Sequence, residues 1–240
     1  MAIELPGEVV SLLSFIGINW PTVNEDKVRE FASHVREFAQ NVEAAHQDST
    51  ATVQQLGAAY QGASYEALLA KWSALSDSHF NELVQACHVV ASALDVAADV
   101  IVGMKVETIA ELVVLAAAFV ADQAAAVATF GLAEAAVIAI EEAAKRLINY
   151  LEQQLEQYII GQVIEAAIDP LVEVVAGAVA GLVFEAAESA LGVQGGGGGT
   201  GFRIDPDALD AHARTMHGHA ETVAGHAQAF QSKIAGVSFE

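Results

Sequence analysis

A chain of 240 residues, 54% of them hydrophobic, can bury one sizeable core or two small ones. Only 17% of residues are charged, 31 acidic against 10 basic, giving a net charge of −21. Phosphate binding needs clustered Lys and Arg, so this balance excludes a nucleic-acid partner and simple adsorption to an anionic membrane. It serves solubility, or complements a basic partner.

The opening stretch MAIELPGEVVSLLSFIG is apolar but carries Glu4 and Glu8 and has no basic n-region, so it is not a Sec-type signal peptide. Pro6 sits at a helix start, and the spacing predicts a short apolar helix ending at Gly17. The next stretch is GINWPTVNEDKVREF. Pro21 fixes its own φ and disfavours the α region at Trp20, so the pair predicts a rigid corner with a large apolar anchor. Thr22 and Glu25 have capping-box spacing, and Asn24 is an alternative cap. Glu25 and Asp26 suit the positive end of the helix dipole.

The next helix carries Val28, Phe31, Val35, Phe38, Val42 and Ala45 at steps of three and four, a heptad seam that implies a long antiparallel or near-parallel partner helix. The pattern thins through QDSTATVQQL, where Val53 and Leu56 continue it. Gly57 and Gly62 bracket a break. A second seam then runs Leu68, Trp72, Leu75, His79, Leu83, Ala86, Val90. Two such seams around a short break predict an antiparallel helical hairpin.

From Val96 to Gly161 the chain is rich in Ala and Val, which favours helix and close helix approach, with Gly103 and Gly131 as candidate breaks. Its longest uncharged runs are Leu112–Ala121 and Gln123–Ala133, with Val174–Phe184 further on. All fall short of the about 20 apolar residues of a membrane span. AAKRLINYLEQQLEQYI is amphipathic, with Leu147, Leu151, Leu155 and Ile159 every four residues. Asp169-Pro170 marks another helix start, and Gly177 and Gly181 have small-xxx-small spacing. QGGGGGTG, Gln194 to Gly201, reads as a flexible linker. Beyond it Asp205 caps and Pro206 opens a final helix. Nothing reads as a strand, so the fold class is all-α. The expected division is a hairpin with its short first helix over 1–104, Ala/Val-rich helices packing on or extending it over 105–193, the linker 194–201 and a helical segment 202–240.

Catalytic parts are missing from the sequence. His212, His219 and His226 recur every seven residues, about 10 Å apart along a helix, too far to share one ion. With His217 they read as a partner-facing or solvated stripe that could titrate near neutral pH. His34, His46, His79 and His88 have no ligand-spaced Cys or carboxylate cluster. There is no phosphate loop, nucleophile elbow or HExxH. Cys87, the only cysteine, lies among apolar neighbours and reads as a core residue. No enzyme, no metal and no cofactor is expected.

A heptad helix, an aromatic-x-Gly break at Tyr60-Gln61-Gly62 and a second heptad helix resemble the WXG-motif helical hairpins, substrates of ESX (type VII) secretion. YQGASYEALLAKW is similar to the stretch just after the turn in long members. LPGEVVSLLSFIGINWPTVNEDKVREFA resembles the leader of large secreted polymorphic toxins whose first domain is a WXG-like module. Residues 202–235 resemble the first helix of small ESX-secreted proteins. Two departures stand out: Tyr60 replaces the motif tryptophan, and no Tyr-x-x-x-Asp/Glu export signal comes after the second helix, so a partner would supply it.

The resemblance implies a non-enzymatic targeting module that binds a small WXG-type helical partner and is exported by a Sec-independent route after cytoplasmic folding, as the leader of a longer protein or a stand-alone relative. Trp20, Pro21, Tyr60 and Gly62 would form the corner and turn. Val28, Phe31, Val35, Phe38, Leu68, Trp72 and Leu75 would form the packing and partner seam. Dimerisation stays open. Two other readings compete: a membrane-active protein that inserts helices from 106–192, and a stand-alone structural bundle.

Overall fold

The computed structural model describes residues 3–76, 80–129, 134–168, 171–172 and 203–239. His79, Gly131, Asp169-Pro170, Gly177, Gly181 and the glycine run of 194–201 lie outside them. Within them the architecture is all-α: α1 (Gly7–Ile16), α2 (Glu25–Ala59), α3 (Ala63–Leu75), α4 (Asn81–Thr129), α5 (Glu134–Tyr158) continuing as a π-helical segment Ile159–Ile168, and α6 (Pro206–Ala235). The sequence predicts no strand, but Tyr60–Gln61 (β1) pairs antiparallel with Arg203–Ile204 (β2). Two residues are too few for an alternating pattern to register in sequence.

The chain forms two compact units that interleave in sequence, Met1–Glu30 with Ala93–Ala167 and Ser238–Glu240, and Phe31–Ser92 with Ile168–Val237.

In the first unit, Gly17 ends α1 in the left-handed conformation at φ 69°, which a residue without Cβ adopts without strain. Val9, Leu12 and Leu13 of α1 then pack against Leu112, Ala116 and Phe119 of α4 and Ile140, Ala144 and Ile148 of α5. α4 runs unbroken through Gly103. On α5 the buried line is Ile140, Ala144, Ile148, Leu151 and Leu155, with Leu147 of the sequence-predicted stripe only half-buried beside it.

The start of α2 is not the predicted capping box. Asn24 is the cap, its Oδ1 accepting from the Asp26 N–H at 2.9 Å. Glu25, which the box would have turned back toward Thr22, is fully buried and pairs with Lys105 Nζ at 2.6 Å. Its other oxygen accepts from the Ile3 N–H at 3.0 Å, and Lys105 also donates to the Val23 carbonyl. Burial alone would push the Glu25 carboxyl up. The Lys105 hydrogen bond, the backbone N–H donors and the Lys105 charge outweigh it and hold the pKa below the usual carboxylate value.

In the second unit, Phe31, Val35, Phe38, Val42, Ala45, Val53 and Leu56 of α2 are all buried, and Val28, one turn earlier in the first unit, is buried too. A strict heptad keeps one stripe of a long helix facing its neighbours, which is why every seam position is inside. On the other side the buried positions are Phe80, Leu83, Cys87 and Ala91, so the predicted Ala86 and Val90 stand one residue off the buried line. Burial pushes the Cys87 thiol up to about 11, leaving it protonated and inert as a packing residue.

Candidate functional site

The α2–α3 turn and the face of α2 beside it gather most of the sequence-singled residues of the second unit. Tyr60, Gln61 and Gly62 are the three residues between the two helices. Gly62 has φ 137° and ψ 178°, a region essentially closed to side chains, and this sharp corner lets its carbonyl accept from the Tyr65 N–H at 3.0 Å and the Glu66 N–H at 3.2 Å. Tyr60 is half-buried, paired opposite Ile204, with its ring edge-on to Tyr65 at 6.4 Å.

Tyr65 is the turn residue that sequence reading missed. Its hydroxyl donates to the carbonyls of Val53 and Gln54, each at 3.3 Å, so the ring lies back across α2. Gly57 leaves room for it: a Cβ there would meet the Tyr65 hydroxyl at 2.6 Å and push the ring aside. Gly57 therefore makes a close approach inside α2 and does not break it. The sequence signal was a mid-helix glycine with a tyrosine eight residues on.

Further along the turn's arms, Trp72 donates from Nε1 to Thr50 Oγ1 at 3.0 Å. His46 stacks on Phe80 at 4.3 Å and on Trp72 at 5.5 Å, and its Nε2 hydrogen-bonds Ser76 Oγ at 2.6 Å. Its Nδ1 is buried with no partner among the described residues, and burial holds the ring's pKa below the ordinary histidine value. Leu68, Trp72 and Leu75 are half-buried, unlike their α2 counterparts.

α6 lies along another part of α2. Phe230 stacks on Phe38 with centroids 4.7 Å apart, Lys233 donates to both carboxylate oxygens of Glu37 at 2.6 Å, and Thr52 Oγ1 hydrogen-bonds His219 Nε2 at 3.0 Å. The Lys233 bond and charge hold the Glu37 carboxyl below its usual value. Of the histidine stripe, His219 thus faces α2, while His217 is exposed beside Glu221 at 3.5 Å. Asp205, the cap of α6, joins the turn through its N–H, which donates to the Ala59 carbonyl at 2.9 Å.

Trp20 and Pro21 belong to the first unit. Pro21 is buried, and Trp20 packs half-buried against the apolar cluster of α1, α4 and α5, so the corner anchors α1 there. Among the described residues no His, Cys, Asp or Glu side chains gather as a metal site, and no helix is long and apolar enough to cross a membrane.

In sequence, the WXG100 like domain matches residues 3–147. The chain belongs to the WXG100-like family. It is a helical protein related to type VII secretion, in a family of non-enzymatic helical proteins. No curated protein and no solved structure matches it. The family match takes in α1, the corner, the α2–α3 turn, α4 and the first half of α5, so the Trp20-Pro21 corner and the Tyr60–Tyr65 turn both lie within the WXG100-like region.

Proposed function

We propose that this WXG100-like chain is a non-enzymatic targeting module for type VII export, which folds in the cytoplasm and binds a small helical partner of the same family. The observation that carries the reading is the WXG100-like match over residues 3–147, together with a turn built from Tyr60, Gly62 and Tyr65 at the end of an unbroken seam. In this reading Trp20 and Pro21 fix the N-terminal helix. Val28, Phe31, Val35, Phe38, Leu68, Trp72 and Leu75 keep the hairpin folded, and the partner is recognised on the α2 face that Phe38 lines. The partner also contributes the acidic tyrosine signal that this chain lacks after its second helix. The same module is the leader of a larger secreted toxin, as the Leu-Pro opening and Trp-Pro corner suggest.

The test pairs folding with export. Phe38 is 3% exposed, and its replacement by alanine removes about 3–5 kcal/mol. The Phe38→Ala chain should lose helical signal, co-purification with a small WXG-type partner, and export together. Export of a chain that circular dichroism shows to be unfolded would overturn the reading.

A further inference from the structure

α6 is held to α2 by a thin seam. Of its 30 residues only Ala227 and Phe230 are buried. The stack of Phe230 on Phe38 is its one aromatic anchor, and the Lys233–Glu37 pair beside it is solvent-exposed, with side chains 41% and 50% accessible. The contacts run antiparallel: Ile204 opposite Tyr60, His219 on Thr52, Phe230 on Phe38, Lys233 on Glu37. Phe38 and Phe230 cover each other, at 3% and 4% exposed, but Phe38 also belongs to an α2 seam buried along its length, whereas Phe230 has only Ala227 buried beside it on α6. The α2 side contributes Phe38 and Glu37, and the α6 side supplies one knob and one cation three residues apart. Exposed ion pairs contribute little, and an amphipathic helix docked through one buried anchor stays in place chiefly because the chain tethers it at high effective concentration.

We propose that α6 is an exchangeable, self-supplied occupant of the α2 face, and that the face accepts in its place an antiparallel helix bearing an aromatic residue followed three positions later by a lysine. The inference rests on the reading that α2 receives a helical partner, and adds its control: α6 covers the face until a competing helix displaces it. A partner that reaches the face therefore has to carry the Phe230/Lys233 pattern, because Phe38 and Glu37 are what it meets.

The test uses the full chain and a fluorescent synthetic peptide of residues 203–239. Lys233→Glu in the chain sets two carboxylates against each other and opens α6, while the added peptide still carries Lys233. Phe230→Ala is a second opening variant. Anisotropy should show the peptide binding the Phe230→Ala chain at least tenfold more tightly than the wild-type chain, and the Lys233→Glu chain more tightly by a smaller factor. The charge-swapped chain Glu37→Lys with Lys233→Glu should close again and reject the peptide. In the wild-type chain, the amides of α6 should exchange with solvent well before those of the buried α2 seam. Equal affinity for wild-type and both opening variants, exclusion of the peptide by both through closure or self-association, or α6 amides as slow as those of α2 would each overturn the proposal. No secretion partner is present in this assay, so a failed export experiment and a failed exchange experiment are separate results.

Discussion

Around α1, the first unit buries Val9, Leu12 and Leu13 against Leu112, Phe119, Ile140 and Ile148, side chains with nothing polar to satisfy, and sets a buried ion pair, Glu25–Lys105, at the start of α2. Around the α2–α3 turn, the second unit gives three of its ring side chains a polar tie: Trp72 to Thr50, His46 to Ser76, Tyr65 to the Val53 and Gln54 carbonyls. Apolar packing alone tolerates small rotations, whereas a directional hydrogen bond on each ring fixes its orientation. The difference places geometric precision at the turn of the second unit and bulk burial around the N-terminal helix of the first.

The comparison breaks most sharply at the buried ion pair. Lys105→Met strands an unpaired carboxylate in the first unit, and should cost about 3–5 kcal/mol in urea denaturation. The double change Glu25→Leu with Lys105→Met should recover most of that loss, because two apolar side chains need no compensation. A single change that proves as mild as the double one would mean that water reaches Glu25. Next in size is the corner of the second unit. Gly62→Ala forces a side chain into backbone space it does not enter and should cost about 1–3 kcal/mol. The same substitution at Gly7, which has open space around it, should be near neutral by the same denaturation measurement.

Acid separates the units without mutation. His46 has a folded pKa below its ordinary 6.5, so the unfolded chain takes up a proton first. Its contribution is complete above 6.5 and is lost as pH falls through the lowered folded value. Glu25 has a folded pKa below its ordinary 4.5, so its contribution is complete above 4.5 and disappears only as pH falls through a still lower value. On acidification the second unit should weaken first and the first unit later. The two tryptophans report them apart: with Trp20→Phe only Trp72 emits, and with Trp72→Phe only Trp20. Coincident loss of both signals on titration would show that the units do not respond separately.

How much of this was legible depended on whether the deciding contact lay in a periodic pattern. The seam of α2 was legible, since Val28 to Ala45 keep one phase and alternate with polar residues. The phase of α4 was not: around Ala86, Cys87, Val90 and Ala91 apolar residues occupy adjacent positions, and packing chose Cys87 and Ala91. Glu25 sat at the right spacing for a cap, but its partner lies 80 residues away, beyond any local rule. Gly57 read as a breaker because a glycine in a helix costs stability. Only the position of the Tyr65 ring reveals that a larger residue there would displace it.

The finest test of the comparison is Trp72→Phe, which leaves an aromatic ring to stack beside His46 and removes only the Nε1 donor to Thr50. Thr50 is half-buried, so water can satisfy its hydroxyl, and the loss should be about 0.5–1.5 kcal/mol. Thr50→Val should cost a similar amount, and the two changes together little more than either alone, since both delete one bond. Losses that simply add would mean that the tie does not act as a unit and that Trp72 is held by packing alone. Coupling would instead mean that Trp72 is oriented by Thr50. In that case the ring's angle over His46, and with it the shape of the face beside α2, is set by a hydrogen bond that apolar periodicity could never have announced.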